Sequence, residues 1–181
     1  MENVYMILGS LLGGFFLVLT IRFLGDLPFP WELRRRNPNR KALAKCFQKL
    51  HDGSSLDIVM GEMNESVCSE SVGALKEALK RSVKIRIINS PMVDARSRSF
   101  LELLDNSKIE LYINSPRPES HFRIVNGKEL YIEEPHLPFK DEGYRYTKSR
   151  RLLSKHTRIF SDLLCQSKKV SINEFKLVEP Q

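Results

Sequence analysis

Residues 121–136 read HFRIVNGKELYIEEPH. Asn126-Gly127 lies between two short apolar-rich segments. Both central positions of a type I′ turn need positive φ, and Asn-Gly meets that need best. The run therefore predicts a β-hairpin with a two-residue turn. In that register Val125 faces Lys128, Arg123 faces Leu130 and His121 faces Ile132. Directly paired residues share a face of the sheet. His121, Arg123 and Ile132 then project together, and Glu134 joins them where the strand persists. Pro135 stops the return strand, because it has no N–H to donate. The open end of the hairpin thus gathers His121, Arg123, Glu133, Glu134 and His136. A slip of one residue sends Glu133 to the His121 face instead. The plainer reading is a half-buried hairpin with polar residues at its frayed end.

Working back along the chain, apolar residues predict alternating elements. Leu43, Cys46, Phe47 and Leu50 mark a helix within 39–51, with basic residues on its other faces. Leu56–Met60 reads as a strand, and Ser69–Arg81 as a helix with Val72, Leu75, Ala78 and Leu79 on one side. Val83–Ile88 is a second strand. A helix follows through Phe100, Leu101, Leu103 and Leu104, and Ile109–Ile113 is a third strand. Strands separated by helices imply right-handed crossovers and a parallel sheet. After the hairpin a long helix is expected over about Tyr146–Gln166, with His156 at its core edge. Val170–Val178 is expected to add an edge strand or to trail loosely. Ligands of such sheets bind beyond the carboxyl ends of the parallel strands. The loops there are Gly61-Glu62-Met63-Asn64, Asn89-Ser90-Pro91 and Asn114-Ser115-Pro116-Arg117. His121 joins them if the hairpin runs antiparallel to the first strands.

With these elements before it, the hairpin resembles the phospholipase D-like family. That family's motif is His-x-Lys, four residues, then Asp. His121 takes the place of the histidine and Arg123 that of the lysine. The acidic place falls at Lys128, of the wrong charge. Asn126-Gly127 stands as a shortened Asp-Gly turn without its carboxylate. The resemblance covers about the last two thirds of the chain. It implies one three-layer α/β domain whose mixed sheet ends in a C-terminal hairpin. It also implies phosphodiester chemistry, in which one histidine attacks phosphorus and a second protonates the leaving oxygen. Single-motif members take the second histidine from a dimer partner. His121 would be the nucleophile and Arg123 the partner of the phosphoryl oxygens. Our own reading of the residues adds Glu134, orienting an imidazole in place of the missing Asp, and His136 as proton donor. No cofactor is expected. Two His and two Glu are also ligand types for zinc or manganese, but no recognised metal spacing is present.

The 181-residue chain has a formal net charge of +7. Its length allows one compact domain besides an anchor. Its charge points to an anionic partner such as phospholipid headgroups, nucleic acid or a phosphorylated small molecule. Cys46, Cys68 and Cys165 form no C-x-x-C pair, which argues against a zinc or disulfide framework. Asn3–Ile21 is uncharged and apolar, long enough to span a bilayer. Arg34, Arg35, Arg36, Arg40, Lys41, Lys45 and Lys49 follow it, and no basic side chain precedes it. That asymmetry predicts a single-pass cell-membrane anchor with the C-terminal part cytoplasmic. Gly9 and Gly13 give a GxxxG spacing suited to self-association as a homodimer. The expected division is an anchor at 1–25, a basic juxtamembrane segment and helix at 26–51, the α/β domain at 52–167, and a tail or edge strand at 168–181. The leading functional reading is a membrane-anchored domain that binds a phosphate-bearing or anionic ligand without efficient catalysis. The alternatives are an active dimeric phosphodiesterase on lipid or nucleic acid, and a non-enzymatic protein-interaction module at the membrane.

Overall fold

The computed structural model describes residues 13–17, 40–61, 63, 68–94, 97–133 and 144–178. The chain divides into two units, Met1–Leu33 and Arg34–Gln181. In the first, residues 13–17 are helical. The rest of the apolar run lies outside the described residues. Among the described residues no helix is long and apolar enough to cross a membrane.

The second unit is a mixed seven-stranded sheet between helical layers. Its elements in order are α1 (Arg40–Gln48), β1 (Ser55–Val59), α2 (Val72–Leu79), β2 (Lys84–Asn89), β3 (Met92–Asp94), α3 (Arg98–Leu104) and β4 (Ile109–Ile113). Then come β5 (Phe122–Val125), β6 (Glu129–Glu133), β7 (Tyr144–Thr147), α4 (Arg150–Gln166), β8 (Lys168–Val170) and β9 (Lys176–Val178). The main sheet runs β7-β6-β5-β1-β2-β4-β8, and β3 pairs with β9 in a separate two-stranded ribbon. β1, β2 and β4 are parallel, as their helical crossovers require. β5 lies antiparallel against β1, so the hairpin returns to the middle of the sheet.

Strand parity divides the core. Leu56, Ile58, Ile85, Ile87 and Leu111 face α1, α2 and α3, where Leu43, Phe47, Leu75 and Phe100 meet them. Val59, Ile88, Phe122, Ile124 and Leu130 face the other way, against Leu153 and Phe160 of α4. Each such large side chain contributes about 1.5–3 kcal/mol when fully buried. The apolar stripe of α1 sinks completely: Ala42, Leu43, Cys46, Phe47 and Leu50 are buried. Lys49 ties α1 to the hairpin. It pairs with Glu129, and its ammonium lies 4.9 Å from the Tyr146 ring centre. Burial pushes the Glu129 carboxyl up, but hydrogen bonds from Lys49 and Lys148 outweigh it and hold the group below its ordinary value.

Three expectations are corrected here. The hairpin does not end the sheet, because β7 and β8 form its two edges. The helix expected from Tyr146 begins at Arg150. Tyr144 and Tyr146 alternate with Arg145 and Thr147, a pattern that suits a pleated strand, and their rings pack at a tilt against Tyr131, with centres 5.6 and 5.0 Å away. Ser149 then caps α4 by accepting a hydrogen bond from the Leu152 N–H at 3.4 Å. The third correction is the hairpin register. The turn itself forms as read: Asn126 and Gly127 have φ of 53° and 62°, and the Lys128 N–H donates to the Val125 carbonyl at 3.0 Å. The ladder, however, pairs Val125 with Glu129, Ile124 with Leu130 and Arg123 with Tyr131. Lys128 is an extra residue beside the turn. Like a bulge, it shifts every later pair by one.

Candidate functional site

Because β5 runs against β1, its start lies where the parallel strands end. His121 sits there, immediately before β5, and its carbonyl accepts the Glu133 N–H at 2.9 Å. The shifted register brings Glu133 to the His121 face. Its carboxylate is shared: one oxygen lies 3.2 Å from His121 Nδ1, and the other pairs with a terminal nitrogen of Arg123. The sequence thus supplies the carboxylate across the hairpin, not along the strand. Glu134 and His136 lie outside the described residues. Lys128 stands at the hairpin tip, away from His121.

Exposure separates the roles within this group. The side chains of His121 and Glu133 are 13% and 12% exposed, and that of Arg123 only 1%. Arg123 points under α1, where its Nε and second terminal nitrogen are buried without a hydrogen-bond partner. An unmet buried donor costs roughly 1–3 kcal/mol, so the position is demanding. Cys46 lies within its field, yet burial pushes that thiol up to about 12, against the opposing influence of Arg123. Cys46 is therefore protonated and a poor nucleophile.

Two further residues complete the edge. The connection from β4 to β5 crosses beyond the ends of β2 and β1, which carries the exposed Arg117 over Gly61. A Cβ placed at Gly61 would lie 2.3 Å from His121 Nε2, 2.6 Å from its Cε1 and 2.4 Å from Arg117 Nε. No side chain fits there, so Gly61 permits the approach. Sequence reading placed Gly61 and Arg117 in loops at this edge but gave neither a role. The signal was a glycine directly after a strand that ends near a histidine.

The Asn-Ser-Pro loops mainly secure the backbone. Asn89 Nδ2 donates to the Ser90 carbonyl at 2.8 Å, and Asn114 Nδ2 to Ser167 Oγ at 3.1 Å. His156 lies on the α4 side, where Nδ1 hydrogen-bonds the Leu152 carbonyl at 2.8 Å and the ring meets Phe122 edge-on at 5.0 Å. It is a core histidine. Among the described residues no three His, Cys, Asp or Glu side chains are grouped to hold a metal ion.

This architecture is phospholipase D-like. It is similar to Nuc from Salmonella typhimurium, a phospholipase D family member, with 15% identity and a TM-score of 0.50 over 72% of this chain and 90% of that one. NucT from Helicobacter pylori is similar at 12% identity and a TM-score of 0.50, over 78% of this chain and 95% of that one. TrmBL2, an archaeal chromatin protein with a novel mode of DNA binding, matches at 12% identity and a TM-score of 0.54. That match covers 93% of this chain and 66% of TrmBL2. At these identities the likeness is one of fold. No family model and no curated protein matches the sequence.

Proposed function

We propose that this chain is a membrane-tethered phospholipase D-like domain that binds a phosphate-bearing ligand at the His121 edge without efficient turnover. The observation that carries the reading is the chain of contacts from Arg123 to Glu133 to His121 Nδ1. It fixes the imidazole so that Nε2 faces Gly61, outside the ends of the parallel strands. Such an edge suits an anion-binding site in an α/β sheet. Turnover is disfavoured because Arg123, at the place of the motif lysine, is committed to Glu133 and has almost no surface for a ligand. Phosphate is common to lipid headgroups and nucleic acid, and the DNA binding of TrmBL2 keeps the second source in view.

Nuclear magnetic resonance tests this reading on the full chain in micelles. The chain has four histidines, and the His121→Ala variant assigns the His121 ring signals. Inorganic phosphate should shift those signals, and a phosphodiester such as bis(p-nitrophenyl) phosphate should be hydrolysed no faster than by His121→Ala. Unmoved signals would sink the binding site. Hydrolysis that disappears in His121→Ala would favour the phosphodiesterase reading.

The tether and its orientation rest on the uncharged run to Ile21 and the one-sided basic cluster after it. In inverted membrane vesicles, added protease should digest the α/β domain. A protected domain would mean that it lies on the opposite side of the membrane.

A further inference from the structure

We propose that Arg117, rather than Arg123, is the cation that contacts the ligand's phosphate, and that Gly61 is the positioning residue that lets Arg117 and His121 share one subsite. The proposal rests on the phosphate-binding reading above and divides its roles. Arg123 occupies the place where the motif would put the phosphate-binding cation. Its side chain is nevertheless 1% exposed, and it grips Glu133 from beneath. A ligand arriving at the strand ends meets Glu133 and His121 before it. Arg123 therefore acts through Glu133, which sets the imidazole.

Arg117 has the opposite placement. It is exposed, and it comes from the connection between β4 and β5, which crosses beyond the ends of β2 and β1. Its Nε and His121 Nε2 both press on the same point above Gly61, at 2.4 and 2.3 Å from where a Cβ would be. A guanidinium offers only donors, arranged to take two oxygens of one phosphate. His121 Nδ1 already faces Glu133, so Nε2 is the ring nitrogen turned toward that point. The two groups fill the space above Gly61 and so lie side by side, and a phosphoryl group would meet the pair on the side away from the glycine. The glycine is as necessary as the cation. At Gly61→Ala the methyl would displace either Arg117, which is long and exposed, or the imidazole, which Glu133 holds. Either movement separates the pair.

The test measures affinity and stability together, using full-length chain in lipid nanodiscs. The probes are inorganic phosphate, a short single-stranded oligonucleotide, and discs of phosphatidylcholine with or without phosphatidic acid, each read through the His121 signals. Arg117→Ala and Gly61→Ala should each weaken inorganic phosphate by about tenfold or more, the loss of one charge-assisted contact. Arg117→Lys should recover part of the loss, and the two Arg117 variants should melt with the wild type. The polymeric or lipid probe whose response also depends on Arg117 identifies the source of the phosphate. If the His121 signals of Arg117→Ala respond to every probe like those of the wild type, the site stands and the assignment to Arg117 falls. If wild type responds to no probe, both readings fall. Lowered melting temperatures with unchanged affinity would make Gly61 and Arg117 structural, and would also overturn the proposal.

Discussion

Replacing Arg123 by methionine should destabilise the folded unit by about 3 kcal/mol, the lower end of the range for breaking a buried ion pair. Methionine fills much of the arginine volume, so packing loss is small. The cost comes from Glu133, whose carboxylate would lose its counter-charge with only 12% of its side chain exposed. Two effects soften it. Glu133 keeps some water and the His121 contact at 3.2 Å. The variant also removes the two arginine nitrogens that are buried without a partner. The stranded charge still dominates, because an uncompensated carboxylate costs more than unmet N–H groups recover. The double variant Arg123→Met with Glu133→Leu should return to wild-type stability or exceed it, since neither charge is then stranded. Denaturant midpoints of the three proteins measure this ordering. A single variant as stable as the wild type would mean that the pair does not hold Glu133. The double variant should also lose the phosphate response of His121 while remaining folded.

Phe47→Ala should cost about 3–5 kcal/mol, the range for emptying a buried aromatic site. Phe47 is fully buried, with its ring 6.4 Å from that of Phe100 on α3. It pins α1 into the main core although α1 precedes the first strand. The exposed Lys41 on the same helix provides the contrast. Lys41→Ala should fall within roughly 0.5 kcal/mol of wild type. Thermal unfolding of the full chain in micelles compares them. Equal, small effects at both positions would mean that α1 contributes little to the folded unit, and that its apolar stripe is covered by something other than the core.

The parts that were legible in the sequence are those governed by local chemistry. The apolar runs of β1, β2 and β4, and the helix stripes between them, declare themselves by period. Asn126-Gly127 declares its turn through the positive φ that both residues adopt. The register was not legible. Whether Lys128 enters the ladder or stands outside it depends on how Glu129 pairs with Val125 and reaches Lys49 and Lys148, and those contacts are made by distant elements. That one residue decides whether Glu133 or Glu134 meets His121. β7 was hidden for a similar reason. Tyr144 and Tyr146 fit a helix start or a strand equally well until Tyr131 and Lys49 supply the surface on which they pack. The pairing of β3 with β9 joins segments far apart in sequence, a contact with no local mark. Gly61 and Arg117 were visible only as loop residues, because what gives them a role is the path of one connection across two strand ends.

The position of β1 also governs how the chain is made. Its neighbours are β2, which follows soon after, and β5, which begins at Phe122. A ribosome adds about 5–20 residues per second, so roughly 3–13 seconds separate the emergence of β1 from that of its second partner. Throughout that interval the first half of the sheet has a bare edge, with Leu56 and Ile58 beside unpaired backbone groups. Such an edge invites pairing with another nascent chain. The His121 edge is absent during the same interval, since each of its groups except Gly61 arrives with or after the connection that closes the gap. The proposed ligand edge and the cover over the β1 edge are therefore completed by the same late event in synthesis.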